Sequence, residues 1–167
     1  MTEAQRNLIL DLALKKMSKE AFLRQYPVDV EKNLSHIDDL VITACNEKRE
    51  DDLDCALLLE VCFGYRLTCV PLLRDVLLED WHHSHEDIVA TLEYYEDKEC
   101  ISYLYKAALS EFKYLDFDDS YALAVKCIWA ISKLNAPDSV ATLRKLSLSD
   151  NPIIKDNANY QLQRLKA

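Results

Sequence analysis

Glycine is almost missing from this chain. Gly64 is its one glycine in 167 residues, where average usage of roughly 7% predicts about a dozen. Tight turns, β-bulges and phosphate-cradling loops all draw on glycine's freedom at positive φ, so their absence excludes the usual glycine-rich nucleotide sites and argues for helices joined by short polar corners. No apolar run approaches the ~20 residues needed to cross a bilayer. Residues 1–17, MTEAQRNLILDLALKKM, form a charged amphipathic segment rather than a signal peptide. No C-x-x-C pair occurs among Cys45, Cys55, Cys62, Cys69, Cys100 and Cys127. Five of the six lie among apolar residues, which predicts free thiols in a cytoplasmic protein without a disulfide framework. Basic residues are in deficit, 20 Lys and Arg against 29 Asp and Glu for a net charge of −9. Such a surface repels phosphate backbones, so nucleic acid is not an expected partner, and neither is a membrane.

What is present is hydrophobicity with a helical period. Half of the residues are hydrophobic, enough for one domain with a continuous core over 1–167. Thr2 followed by Gln5 reads as a capping box opening a helix to about Lys16. Ser18 caps a short helix that ends before Pro27. Asp29 or Ser35 starts a third helix, and Asp51 or Asp52 a fourth, closed by Gly64. Further helices are expected over Cys69–Glu79, from Ser84 to about Tyr95, from Lys98 to Phe112, from Asp119 or Ser120 through ALAVKCIWAISKL, from Pro137, and from Pro152.

The segments VPLLRDVLLED, CISYLYKAALS and SVATLRKLSLS look alike, and each precedes a corner and a second helix. Their spacing of about 30–40 residues is that of two-helix repeats stacked into a right-handed α-solenoid. The expected fold is therefore all-α, with about four repeats over 35–167 and cap helices over 1–34. An irregular helical bundle is the alternative.

The stretches NAPDSVATLRKLSLSDNPIIKDNANYQLQRL and YALAVKCIWAISKL resemble HEAT and HEAT-like repeats over about residues 65–165. The combination of LLLEDWHHSHEDIV, YLDFDDSYALAVKCIWAI and SKEAFLRQYPVD is similar to small bacterial HEAT-repeat proteins met as immunity proteins beside polymorphic toxins. This resemblance implies a non-catalytic cytoplasmic module that binds and neutralises a cognate toxin domain. A general HEAT-repeat scaffold or adaptor is the alternative. HEAT-like DNA glycosylases need a basic concave face, and here the electrostatic sign is wrong.

WHHSHED, residues 81–87, crowds three histidines and two acids into seven positions. Ser84 and Asp87 fit a capping box, Glu86 adds an anion to a helix's first turn, and Trp81 fits a lid on the apolar layer. His82, His85 and Glu86 would be the candidate metal ligands, but a zinc site needs three or four converging ligands and this order matches no metal motif. No nucleophile elbow or Cys/His pair is present, so no catalytic residues, metal or cofactor are assigned. His82, His83 and His85 are expected to serve local structure or partner contact.

Two other segments complete the candidate surface. The acidic loop YLDFDDS carries Asp116, Asp118 and Asp119 without the order or glycine of an EF-hand, beside the aromatics Tyr114 and Phe117. In SYALAVKCIWAI, Tyr121, Leu123, Val125, Ile128 and Trp129 are expected to fill the core. Lys126 either snorkels or pairs with an acid of the WHHSHED corner. The expected partner-binding set is His82, His83, His85, Glu86, Tyr94, Asp116, Asp118, Asp119, Lys126 and Asn151, facing a protein partner.

Overall fold

Helix ends leave backbone N–H and C=O groups without intrahelical partners, and in a chain with one glycine side chains must satisfy most of them. The computed structural model describes residues 1–165. Among these there are ten α-helices and no strand, as the helical period predicts. No described helix is long and apolar enough to cross a membrane. The chain divides into two compact units, 1–72 and 73–167.

Unit 1 holds α1 (Glu3–Ala13), α2 (Lys19–Gln25), α3 (His36–Glu47) and α4 (Glu50–Phe63). Thr2 and Gln5 form the expected capping box of α1, and Ser18 caps α2 through the Ala21 N–H. Gly64 ends α4 at φ 61°, the left-handed position that glycine adopts without a Cβ penalty. Helix α4 opens earlier than the aspartates suggested, at Glu50, because Asp52 is drawn inward. Its carboxylate is buried and bonded to Arg6 at 2.8 Å, Arg49 at 3.0 Å and the Met1 ammonium at 2.6 Å. Helix α4 packs on α1 and α3. Ile9, Phe22, Ile37, Leu53 and Leu59 are fully buried between these helices.

Asp38, near the start of α3, holds the far end of unit 1. Its buried carboxylate accepts from the Thr68 N–H at 2.8 Å, the Thr68 hydroxyl at 2.9 Å, the Cys69 N–H at 3.3 Å and the Tyr65 hydroxyl at 2.5 Å. These donors belong to the segment that leads into α5 (Val70–Val76). Burial pushes the Asp38 carboxyl up, but the bonds from Tyr65, Thr68 and Cys69 outweigh it and hold it below the usual carboxylate range.

Unit 2 continues through α6 (His85–Tyr94), α7 (Ile101–Ala108), α8 (Ala122–Leu134), α9 (Ser139–Leu146) and α10 (Pro152–Arg164). Helices α6, α8 and α10 pack in one row, α6 on α8 and α8 on α10. Helix α7 packs on α8 and α9, and α9 on α10. This alternation within unit 2 is compatible with an α-solenoid. Arg74 ties α5 to the turn before α7, with two bonds to Asp97 at 2.6 and 2.8 Å and one to Glu99 at 2.5 Å. All six cysteines are free.

Helix α7 is shorter than its apolar pattern suggests. It ends at Ala108, where the Leu109 and Ser110 N–H groups turn back to Lys106 and Ala107 and the Ser110 hydroxyl donates to the Lys106 carbonyl at 2.9 Å. Phe112 then leaves the helical path to bury itself 3.9 Å from the His85 ring centroid.

Asp38→Ala removes a charged acceptor and strands several buried donors, so it should lower stability by about 3 kcal/mol. Asp39→Ala, at an exposed neighbouring position, should change it by less than about 0.5 kcal/mol. Urea unfolding of both variants measures the contrast.

Candidate functional site

Two of the three histidines of WHHSHED are structural. His82 and His85 are each 0% exposed, so of the two roles expected for them, local structure or partner contact, they take the structural one. The Ser84 N–H donates to His82 Nδ1 at 3.1 Å. That nitrogen is therefore the acceptor, and Nε2 carries the proton donated to the Val76 carbonyl at 2.8 Å. His85 Nε2–H likewise donates to the Glu79 carbonyl at 2.9 Å, and its Nδ1 accepts from the Tyr114 hydroxyl at 2.9 Å. The two imidazoles stack with centroids 4.2 Å apart, and Trp81 meets His82 edge-on at 4.9 Å. The pair thus ties the carbonyls at the end of α5 to the start of α6. Ser84 is the N-cap of α6, but its side chain makes no capping hydrogen bond. The expected box with Asp87 does not form, because Ser84 is buried against the histidine corner.

Tyr114 carries this corner into the acidic loop. It sits in the 3-10 turn Lys113–Leu115, its ring 4.3 Å from that of exposed His83 and 5.4 Å from that of His85. The next residues form the rim of a pocket of about 370 Å³ in unit 2. Its apolar lining includes Leu109, Phe112, Leu115, Leu123, Ala124 and Ile154, and its charged lining residues are Glu111, Asp116, Asp118 and Asp119. Among the described residues no lysine or arginine lines it. Tyr121 and Asn151 contribute polar walls.

The acids around this pocket divide by role. Asp118 accepts from the Ser120 N–H at 3.0 Å, the Ser120 hydroxyl and the Ala122 N–H at 2.7 Å. It thereby caps α8, the role expected of Asp119 or Ser120. Those bonds, the Ser120 hydroxyl first, hold its carboxyl below the usual range. Tyr121 is the N-cap residue itself, at φ 52°. That strained left-handed backbone turns its ring outward, 45% exposed, against the expectation of a core position. Asp116, Asp119 and Glu111 are exposed, with no ion pair among the described residues. Phe117, between two rim acids, is 83% exposed. Asn151 faces the same pocket while its side chain caps α10 through the Ile153 and Ile154 N–H groups at 2.9 and 3.3 Å.

The remaining expected residues lie elsewhere. Lys126 pairs with Glu86 at 3.5 Å, the partner expected from the WHHSHED corner. Tyr94, 78% exposed, lines a separate recess with Glu93 and Lys133, which pair at 2.5 Å. Trp129 is half-buried rather than a full core residue. Its indole N–H donates to Asn157 at 3.3 Å, and the Arg164 guanidinium lies 5.5 Å from its ring. The structure therefore brings together Asp116, Asp118, Asp119 and Asn151 and leaves Glu86, Lys126 and Tyr94 apart from them. Leu109 and Glu111, which sequence reasoning passed over, join the pocket because α7 stops early. The polar pair Ser110 and Glu111, interrupting the apolar run, was the available signal.

No family model, curated protein or solved structure matches this chain. Its chemistry is read from the site itself. Among the described residues no three His, Cys, Asp or Glu side chains are grouped to hold a metal. The arrangement can do one thing well: accept a cationic group over an apolar floor.

Burial, with smaller contributions from His82 and His83, pushes the His85 imidazolium down to about 4. The folded state therefore binds a proton less readily than the unfolded chain, whose histidines titrate near ~6.5. Stability is full above that value and is lost as pH falls toward 4. Between pH 7.5 and pH 5 this single group should remove about 2 kcal/mol. Urea unfolding at the two pH values should show that loss in the native chain, and a pH dependence smaller by about that amount in His85→Gln.

Proposed function

We propose that this chain is a non-catalytic, right-handed HEAT-like solenoid that acts in the cytoplasm by binding and neutralising a cognate toxin domain. The observation that carries the reading is the pocket of unit 2, where apolar residues are ringed by carboxylates and no basic side chain among the described residues lines it. Apolar area supplies affinity on burial, while fixed charge of one sign steers a complementary partner and rejects others. Exposed Phe117 beside the rim adds an aromatic contact of the kind enriched in protein interfaces. A net charge of −9 supports a basic partner over long range. The two-row packing of α6, α8 and α10 against α7 and α9 supports the repeat assignment, together with the HEAT-like wording of the sequence.

The decisive experiment co-expresses the chain with the toxin domain encoded beside it. A one-to-one complex should survive size exclusion with light scattering, and growth should be rescued only up to equimolar toxin. Asp116→Lys with Asp119→Lys should cut the association rate by about tenfold at low salt, an effect that shrinks as ionic strength rises. Absence of both complex and rescue would end the immunity reading.

A further inference from the structure

We propose that the unit 2 pocket receives an arginine side chain presented by the partner protein, with an apolar neighbour of that arginine packed on Leu109 and Tyr121. The inference rests on the binding-module reading of this pocket and narrows it to one residue class. Three features of the site select that occupant.

The first is charge. Glu111, Asp116 and Asp119 are exposed lining acids without ion pairs among the described residues, whereas Glu86, Glu93, Asp97 and Glu99 of the same unit are paired with Lys126, Lys133 and Arg74. Asp118 adds a fixed negative charge, because its carboxylate is locked onto the Ser120 and Ala122 backbone. A cation entering the pocket meets carboxylates without breaking an existing salt bridge.

The second is the floor. An ammonium group is strongly hydrated and loses that hydration at a cost, whereas a guanidinium is weakly hydrated and planar. Its three-carbon stem lies favourably along apolar walls, here Leu115, Leu123 and Ile154. The third is the wall. Tyr121 is half exposed and held by its unusual backbone at the pocket's edge, offering a π face on which a guanidinium stacks better than an ammonium does. The pocket's volume of about 370 Å³ accommodates the side chain and part of one neighbour. Leu109, 47% exposed at the end of α7, is the apolar surface next to it.

The test titrates terminally blocked Leu-Arg-Leu peptide into the isotopically labelled full chain and follows amide chemical shifts. The lysine and citrulline counterparts serve as controls. Shifts should centre on Leu109, Asp119, Tyr121 and Asn151. The lysine peptide should bind several-fold more weakly and citrulline at least about tenfold more weakly. Asp116→Asn with Asp119→Asn should reduce arginine-peptide affinity by about tenfold while leaving the thermal midpoint unchanged, since both side chains are exposed and uncommitted. Equal binding of citrulline, shifts centred elsewhere, or full affinity in the double variant would each overturn the proposal. Pocket shifts that respond to dilution without peptide would also overturn it, by assigning the pocket to a second copy of the chain. The two readings fail separately. A toxin domain that binds the double variant at full strength sinks the arginine site and leaves the immunity reading standing. An arginine peptide that binds this pocket in a chain that neutralises no toxin does the reverse.

Discussion

Every helix corner in this protein must find partners for backbone N–H and C=O groups, and it must do so with a single glycine. That constraint decides which polar side chains go inside. Asp38 binds the N–H groups of Thr68 and Cys69. His82 and His85 hold the carbonyls of Val76 and Glu79. Ser139 donates to the Ile131 carbonyl at 2.7 Å and accepts from the Ala136 N–H at 2.9 Å. Asp118 and Asn151 cap α8 and α10. The alternative device, a left-handed residue after a helix, falls on Lys48 and Asn135 as well as on Gly64, at the usual cost of a positive φ on a residue with a Cβ. A buried polar group that lost its backbone partner here would cost the full desolvation penalty, so these side chains have little freedom to serve anything else.

This accounting separates structural from available groups in a way that residue type alone does not. The histidines of WHHSHED have the chemistry of a proton-transfer site. Both nitrogens of His82 and His85 are nevertheless occupied, and the rings lie beneath Trp81, Phe112 and Tyr114. The acids of the next loop have ordinary chemistry, but three of them remain on the surface after the backbone is satisfied. The Tyr114 hydroxyl connects the two sets, because its bond to His85 anchors the turn from which Leu115 and Asp116 reach the pocket rim.

Much of the fold was legible before any coordinates. The Thr2–Gln5 box, the Ser18 cap, the Gly64 stop and the Pro152 start follow from local chemistry, and they appear where that chemistry puts them. The Lys126–Glu86 pair was legible for a similar reason: a cation on an apolar helix needs an anion within reach. The errors came where tertiary contacts compete with local preference. Ser84 and Asp87 spell a capping box, yet the buried imidazoles claim that corner first. The apolar period carries a helix to Phe112, yet burial against His85 pulls that ring out of register. Tyr121 follows the pattern of a core residue, but it is the left-handed N-cap residue of α8, beside the Asp118 cap, and its side chain is 45% exposed. The same competition decides which of the candidate surface residues lie together. The rim acids are close in sequence, so the loop keeps them together, whereas Glu86 and Lys126 are joined across α6 and α8 and Tyr94 lines a separate recess.

The division between occupied and available groups also separates the side chains that hold the fold from those that only shape its surface. The pocket's frame consists of Asp118, Asn151 and His85, whose removal leaves backbone unsatisfied, and of Tyr114, whose hydroxyl holds that imidazole. Glu111, Asp116, Asp119, Tyr121 and Phe117 project from that frame without holding it. Substitutions in the second set act on a surface that the fold does not need, where effects on stability are small. Substitutions in the first set move the rim itself. A module built this way can change the charge and shape it presents while its helices stay fixed. That freedom arises because the backbone's demands are met by a different set of side chains from those left facing the solvent.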